Sequence, residues 1–427
     1  MDIKEKAKLS KESSLTLSTA SSEIKNEVLK NLIKELQNNE DEIIKANKFD
    51  IERSEKEKLP KPLIKRLKFD HEKICGVVDG INSLIELPDP VGKTLAATEL
   101  DQGLELYKIS CPIGVVGVIF ESRPDALVQI STLCLKSGNG VLLKGGSEAK
   151  ETNKILTTII MNATKKAGLP SGWVQFIETR EDVNEMLKMD EYINLLIPRG
   201  SNAFVKYIME NSNIPVLGHA DGVCHSYIHD DADINRALNI LIDAKTQYPA
   251  ACNATETVLV HSNIAKEFLP LLKEKFNKMN VELYGCEKTR KIIDVTPVEG
   301  EDWHKEYLDY KLSIKVVEGL DEAINHINTF GSGHTEAIIA TDKKAIQKFM
   351  DLVDASNVFS NCSTRFSDGF RYGFGAEVGI STSKIHARGP VGLEGLLIYK
   401  YKLFGNGDIV EDYASRKKIF THKKIER

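Results

Sequence analysis

Cys252 sits between small residues in the stretch QYPAACNATETVLVH, just ahead of a run with strand character. A cysteine flanked by alanines suits a buried apolar position, and it equally suits a nucleophile whose sulfur faces a ligand. A free thiol is only a few per cent ionised near neutral pH, so catalysis needs a helix N-terminus, hydrogen-bond donors or a base beside it. The residue types alone leave both readings open.

Three further stretches place cations or hydroxyls where a strand gives way to a helix. ISCPIGVVGVIFESRPDA carries Arg123 in its turn, LLKGGSEAKETN carries Lys144 and Ser147 around two glycines, and LLIPRGSNAFVKYI carries Arg199, Gly200 and Ser201. Beyond the carboxyl ends of strands in an open α/β sheet, loop groups and helix N-termini converge on ligands, so an anion or a nucleotide phosphate suits these turns. Ser147 is also placed to cap the following helix. None of the three matches GxGxxG or a Walker A loop, so plain connection chemistry competes with binding. A fourth stretch, SNCSTRFSDGFRYGFGAEVGISTSKIHARGPVGLEG, gathers Ser363, Thr364, Arg365, Arg371, His386 and Arg388 among glycines. Hydroxyls and guanidinium forks of this kind suit phosphate or carboxylate. His219, Cys224 and His225 in GHADGVCHSYIHDDAD match no structural zinc spacing, and no metal is expected.

The elements that must position these groups alternate in type. Ile24, Val28, Leu29, Leu32, Ile33 and Leu36 recur at helical spacing, predicting one amphipathic helix from Ser22 to about Ala46. From Gly114 short apolar runs (GVVGVIF, GVLLKG, VQFIE, INLLIP, IPVLG) alternate with helical segments, predicting about five strands of a parallel sheet covered on both faces. A second alternating series follows Cys252, with ETVLVH, VELYG, SIKVV, EAIIAT and VFSN as its strands.

A chain of 427 residues exceeds one core, so two or three domains are expected. Hydrophobic residues at 41%, charged residues at 28% and a net charge of -5 indicate an ordinary globular chain and argue against nucleic-acid binding. The first residues, MDIKEKAKLSKESS, have no apolar signal region, and no later run is long enough to span a membrane, so a cytoplasmic protein is expected. Seven cysteines without a CxxC pair point to reduced thiols.

Taken in order, PIGVVGVIFESRP, LLKGGSEA, PRGS, YPAACNATETVLVH, NCSTRFSDGFRYGFGAEVGISTSKIHARGPVGLEGL and the closing GNG resemble the gamma-glutamyl phosphate reductases (glutamate-5-semialdehyde dehydrogenases) of the aldehyde dehydrogenase superfamily. The resemblance covers nearly the whole chain. It implies an α/β fold with a Rossmann-type NADP(H)-binding domain (residues 1–100 and 111–235, with part of 370–392 returning to it), an α/β catalytic domain (236–366), and a small β oligomerisation flap with the C-terminal tail (101–110 and 393–427). Cys252 is then the nucleophile, with Asn253 beside it at the oxyanion. Lys144 and Ser147 fall near the adenosine ribose or its phosphate, Arg199 to Ser201 near the pyrophosphate, and Glu306 where the superfamily glutamate holds the nicotinamide ribose. Arg123, His219, Ser363, Thr364 and Arg365 are the candidates for substrate and phosphate. His219 falls where oxidative relatives keep a water-activating glutamate, which suits an enzyme that must protect its thioester from hydrolysis.

The implied substrates are glutamyl phosphate, glutamate semialdehyde and phosphate, and the implied assembly is a homo-oligomer. The length is consumed by reductase segments, so a glutamate kinase is expected as a separate protein, with contact between the two left open. Other readings are a phosphate-dependent or CoA-acylating aldehyde dehydrogenase of different acyl specificity, a thiol hydrolase, and a catalytically idle nucleotide-binding paralogue.

Overall fold

The computed structural model describes residues 1–178, 181–218 and 221–425. Its N-terminal third is helical: Ile3–Leu17, Ser22–Asn38, Glu40–Lys56, Lys61–Leu67 and His71–Glu86. The single helix expected over 22–46 is two, because Asn39 (φ -107°, ψ 18°) leaves the helical conformation and turns its side chain back to the Glu35 carbonyl. The apolar stripe nonetheless runs on: Val28, Leu29, Leu32 and Leu36 share a core with Ile43 beyond the break. That continuity is what concealed the joint.

Two parallel sheets follow. In the smaller, Val174–Ile177, Gly140–Lys144, Val115–Phe120 and Leu195–Arg199 lie side by side in that order. The expected fifth strand, IPVLG, reduces to one bridge between Val216 and Leu196. Pro215 has no N–H to continue the ladder. The larger sheet orders Thr296–Pro297, Glu282–Gly285, Lys311–Val317, Thr255–His261, Cys224–Ile228, Thr335–Ile339 and Asn357–Ser360, all adjacent pairs being parallel. Cys224–Ile228 is wholly buried at its centre, so this sheet begins ahead of the expected border at 236. Its sequence CHSYI hides the strand, because His225 and Ser226 are polar residues paired internally, His225 Nδ1 with Glu336 and the Ser226 hydroxyl with Thr255.

The hairpin Thr94–Asp101 and Leu104–Pro112 forms a separate antiparallel sheet, flanked by Leu397–Phe404 on one side and Lys423–Lys424 on the other. Val378, Val391, Leu393 and Leu396 return late in the chain to the core of the small sheet. Among the described residues no helix is long and apolar enough to cross a membrane.

Candidate active site

The large sheet presents the amino end of Thr255–His261 to a cleft, and Cys252 lies in the tight turn that enters this strand, closed by Ala254 N–H donating to the Ala251 carbonyl at 2.9 Å. Two neighbours grip that turn. A Cβ on Gly222 would come within 2.1 Å of the Cys252 carbonyl oxygen, so only glycine permits the two backbones to touch. The Cys224 thiol donates to the same carbonyl at 3.2 Å. Cys252 itself is partly exposed, and its thiol is pushed up to about 12, first by burial and then by the carboxylates Glu306 and Glu377. Arg199 and Arg365 oppose that shift and favour the thiolate.

The small sheet presents its carboxyl ends to the same cleft. Arg199 closes its last strand and donates through Nη1 to the carbonyl of Val378 at 2.9 Å. Arg123 follows Ser122, whose left-handed backbone (φ 43°) is held by the Glu148 carboxylate at 2.6 Å from its N–H and 2.7 Å from its hydroxyl. Arg123 acts on both Arg199 and Glu377, which places it at the same cleft. From the large-sheet side Arg365 is nearly buried, donates through Nε to Gln247 at 3.0 Å and lies over the Tyr248 ring.

The two hydroxyls expected beside Arg365 point elsewhere. Thr364 is fully buried and bonded to Thr255, which bonds in turn to Ser226, and Ser363 caps the Arg365 N–H at 3.2 Å. Both shape the turn from within, leaving Arg365 alone of the three facing the thiol. Asn253 is likewise turned away, its Nδ2 donating to the Ser367 carbonyl at 2.7 Å.

Two carboxylates complete the cleft. Glu306 accepts from Asn202 Nδ2 at 2.7 Å, and the same amide donates to Asp221 at 2.7 Å, so one asparagine ties the small sheet's last helix to the large sheet's loop. Burial, then Asp221, pushes Glu306 up. Glu377 accepts the Gly369 N–H at 2.9 Å and, among the described residues, has no ion-pair partner. Burial pushes it up as well. Sequence reasoning missed Glu377, Asn202 and Asp221. A lone acid amid glycines in GFGAEVGIS was the available signal for the first.

The two glycine turns of the small sheet differ. The helix after LLKGG starts at Lys150, and Asp50 from the N-terminal helices caps it, accepting from Thr152 N–H and hydroxyl at 2.8 Å each. The expected cap by Ser147 is therefore absent: Ser147 opens a short 3-10 turn, and its carbonyl accepts from Arg53 at 2.7 Å. Lys144 is buried, with Nζ donating to the Gly145 carbonyl at 2.5 Å. Its strand lies two places from Leu195–Arg199, so Lys144 and Ser147 stand apart from the group around the thiol. By contrast, the helix Asn202–Asn211 begins after exposed Gly200 and Ser201 with no side-chain cap, leaving its first N–H groups for a ligand. That end suits the diphosphate of a dinucleotide. His219 lies outside the described residues.

The sequence profile of the aldehyde dehydrogenase family matches residues 1–310. The gamma-glutamyl phosphate reductase of Acetivibrio thermocellus is 67% identical over all of this chain and 99% of its own length, and that of Methanococcoides burtonii is 49% identical over all of this chain and 97% of its own. The crystal structure of gamma-glutamyl phosphate reductase from Thermotoga maritima superposes with a TM-score of 0.94 at 41% identity, covering 96% of this chain and 100% of that one. An acetylating aldehyde dehydrogenase from Geobacillus thermoglucosidasius shares the fold at 18% identity, with a TM-score of 0.65 and 95% and 97% coverage. A thiol held at the amino end of a buried strand, opposite an uncapped helix start, is thus found within a full-length match, and the chain belongs to the gamma-glutamyl phosphate reductases of the aldehyde dehydrogenase family.

Proposed function

We propose that the chain reduces L-glutamyl 5-phosphate to L-glutamate 5-semialdehyde with release of phosphate, using NADPH, in the second step of proline biosynthesis from glutamate. The observation that carries this reading is Cys252, a partly exposed residue whose thiolate is favoured by Arg199 and Arg365, within a chain whose relatives are named for reducing this acyl phosphate. The Cys252 thiolate attacks the acyl carbon, the carbon–oxygen bond to phosphate breaks, and phosphate departs with its electron pair, leaving a thioacyl enzyme. A bound nicotinamide nucleotide supplies hydride. The hemithioacetal oxyanion then re-forms the carbonyl and expels the thiolate. Among the described residues the backbone N–H groups of Cys252 and Asn253 donate to no acceptor, which suits them to the oxyanion.

Arg365 and Arg123 bind the phosphate. Glu377, which forms no ion pair among the described residues, takes the substrate's ammonium, and Glu306 takes the nicotinamide ribose. Burial, and after it both carboxylates, hold the resting thiol protonated, so an ammonium placed against Glu377 shifts Cys252 toward thiolate. Gly200 and Ser201 receive the diphosphate, and the turn with Lys144 and Ser147 receives the adenosine ribose phosphate. The small sheet thus forms the NADP(H)-binding domain and the large one the catalytic domain. The exposed strand Leu397–Phe404, bearing Tyr401, Leu403 and Phe404 on its surface, suits pairing with a second copy of the chain.

Incubation with glutamate 5-semialdehyde, phosphate and each nicotinamide in turn tests the reading in reverse. Phosphate-dependent reduction of NADP is expected. Turnover that needs CoA instead of phosphate, or acid release without any nicotinamide signal, overturns it.

A further inference from the structure

Behind the thiol lies an ion pair that the mechanism above does not use. Lys245, on the helix Ile234–Thr246, and Glu256, the second residue of the strand that follows Cys252, meet at 2.5 Å with neither side chain exposed. Burying two charges costs several kcal/mol per ion, and well-packed apolar residues of the same volume are often as stable or more so. Stability is therefore a weak reason for this pair.

The remaining oxygen of Glu256 faces a different segment. Oε1 accepts the N–H of Leu308 at 3.4 Å, across the sequence from the thiol. Leu308 has φ 53°, a left-handed conformation that costs a branched side chain roughly 1–2 kcal/mol and persists only under restraint. The turn it forms has Tyr307 anchored to Ser313 at 2.8 Å and stacked on Tyr284, which sends the preceding residue, Glu306, the other way toward Asn202. One buried carboxylate is thus four residues from Cys252 along the chain and in contact with the turn that presents Glu306. A long hydrogen bond to a neutral acceptor would restrain that turn in part. Burial pushes the Glu256 carboxyl up to about 7 with Lys245 opposing that shift, and the carboxylate that Lys245 favours restrains the turn better.

We propose that Lys245 and Glu256 are positioning residues that hold the Leu308 turn and so fix Glu306 at its distance from Cys252. The proposal rests on the reading that Glu306 binds the nicotinamide ribose, and its test separates the two. Removing Lys245 alone leaves a buried unpaired carboxylate and endangers folding, so both partners are replaced together. Lys245→Met with Glu256→Met removes the charge and the acceptor for Leu308, whereas Lys245→Met with Glu256→Gln keeps an acceptor oxygen. NADPH affinity is read by nucleotide fluorescence, with thermal unfolding to show that each variant is folded.

The Met–Met variant is expected to bind NADPH about tenfold more weakly, equivalent to about 1.4 kcal/mol. The Met–Gln variant is expected to recover to within roughly threefold of the parent, a residual of about 0.65 kcal/mol. Glu306→Gln serves as the reference and is expected to weaken binding comparably. If Glu306→Gln weakens binding and the folded Met–Met variant does not, the inference fails while the role of Glu306 stands. If Glu306→Gln leaves affinity unchanged, the role of Glu306 fails, and the inference falls with it.

Discussion

At the carboxyl ends of the small sheet the backbone opens into turns carrying Arg123, Arg199 and an uncapped helix start, whereas at the amino end of the large sheet Cys252 is clamped between Gly222 and Cys224. The first edge offers free N–H groups and cations to a ligand that comes and goes. The second edge holds one atom still. On the function proposed above, binding and chemistry are divided between the sheets, so substitutions should separate nucleotide affinity from turnover. Cys252→Ser tests this most severely. Phosphate-dependent NADP reduction with the semialdehyde should fall at least roughly 1,000-fold, because a serine hydroxyl adds to the aldehyde less readily than a thiolate and its alkoxide is a poor leaving group when phosphate attacks the acyl ester. NADPH affinity should be retained, and a parallel loss of affinity in fluorescence titration would dissolve the division.

The resting state of the clamped edge can be read directly. With burial, Glu306 and Glu377 pushing the thiol up to about 12, Cys252 is neutral at ordinary pH, and ionisation increases as pH rises. Iodoacetamide labelling of Cys252, followed by mass spectrometry on protein free of ligands, should therefore accelerate about tenfold per pH unit between about pH 7 and pH 10, without a plateau. A plateau below about pH 9 would mean that the arginines outweigh the carboxylates. Gly222→Ala comes next. Its methyl group displaces the Cys252 backbone, and turnover should drop on the order of 100-fold while NADPH still binds. Arg365→Ala should raise the phosphate requirement roughly tenfold to 100-fold, the range for one lost charge-assisted contact, and an unchanged phosphate saturation curve would remove Arg365 from the site.

What could be read in the sequence follows the same division. The alternating strands of both sheets were legible, because fully buried strands keep near-continuous apolar runs. Cys224–Ile228 was not, since His225 and Ser226 pair with residues more than 25 positions away, a pairing that no local pattern carries. Cys252 could be singled out as a candidate from its neighbours, but the residue types could not separate nucleophile from filler. That separation needed the resemblance. Arg365 points into the cleft while Ser363 and Thr364, adjacent in sequence and equally polar, point into the fold, because a 3-10 turn sends neighbours in different directions. Glu377 and Asn202 act through contacts across the cleft, and a linear reading holds no trace of these.

The smallest effect separates the two helix starts of the small sheet. Asp50 caps the helix Lys150–Lys166 from another part of the chain, and Arg53 binds the same carboxylate at 2.7 Å while also reaching the Ser147 carbonyl. Ser201, at the start of Asn202–Asn211, caps nothing with its side chain. Asp50→Ala should therefore lower stability by about 1–2 kcal/mol, the upper part of the range for a lost N-cap, since it also leaves the Thr152 hydroxyl without its acceptor and Arg53 without its carboxylate. Ser201→Ala should leave thermal unfolding within about 0.5 kcal/mol of the parent. Nucleotide binding should respond in the opposite sense, because the terminus that has no cap of its own is the one left for the diphosphate. A Ser201 variant that loses stability, together with an Asp50 variant that loses only nucleotide affinity, would exchange the roles of the two turns.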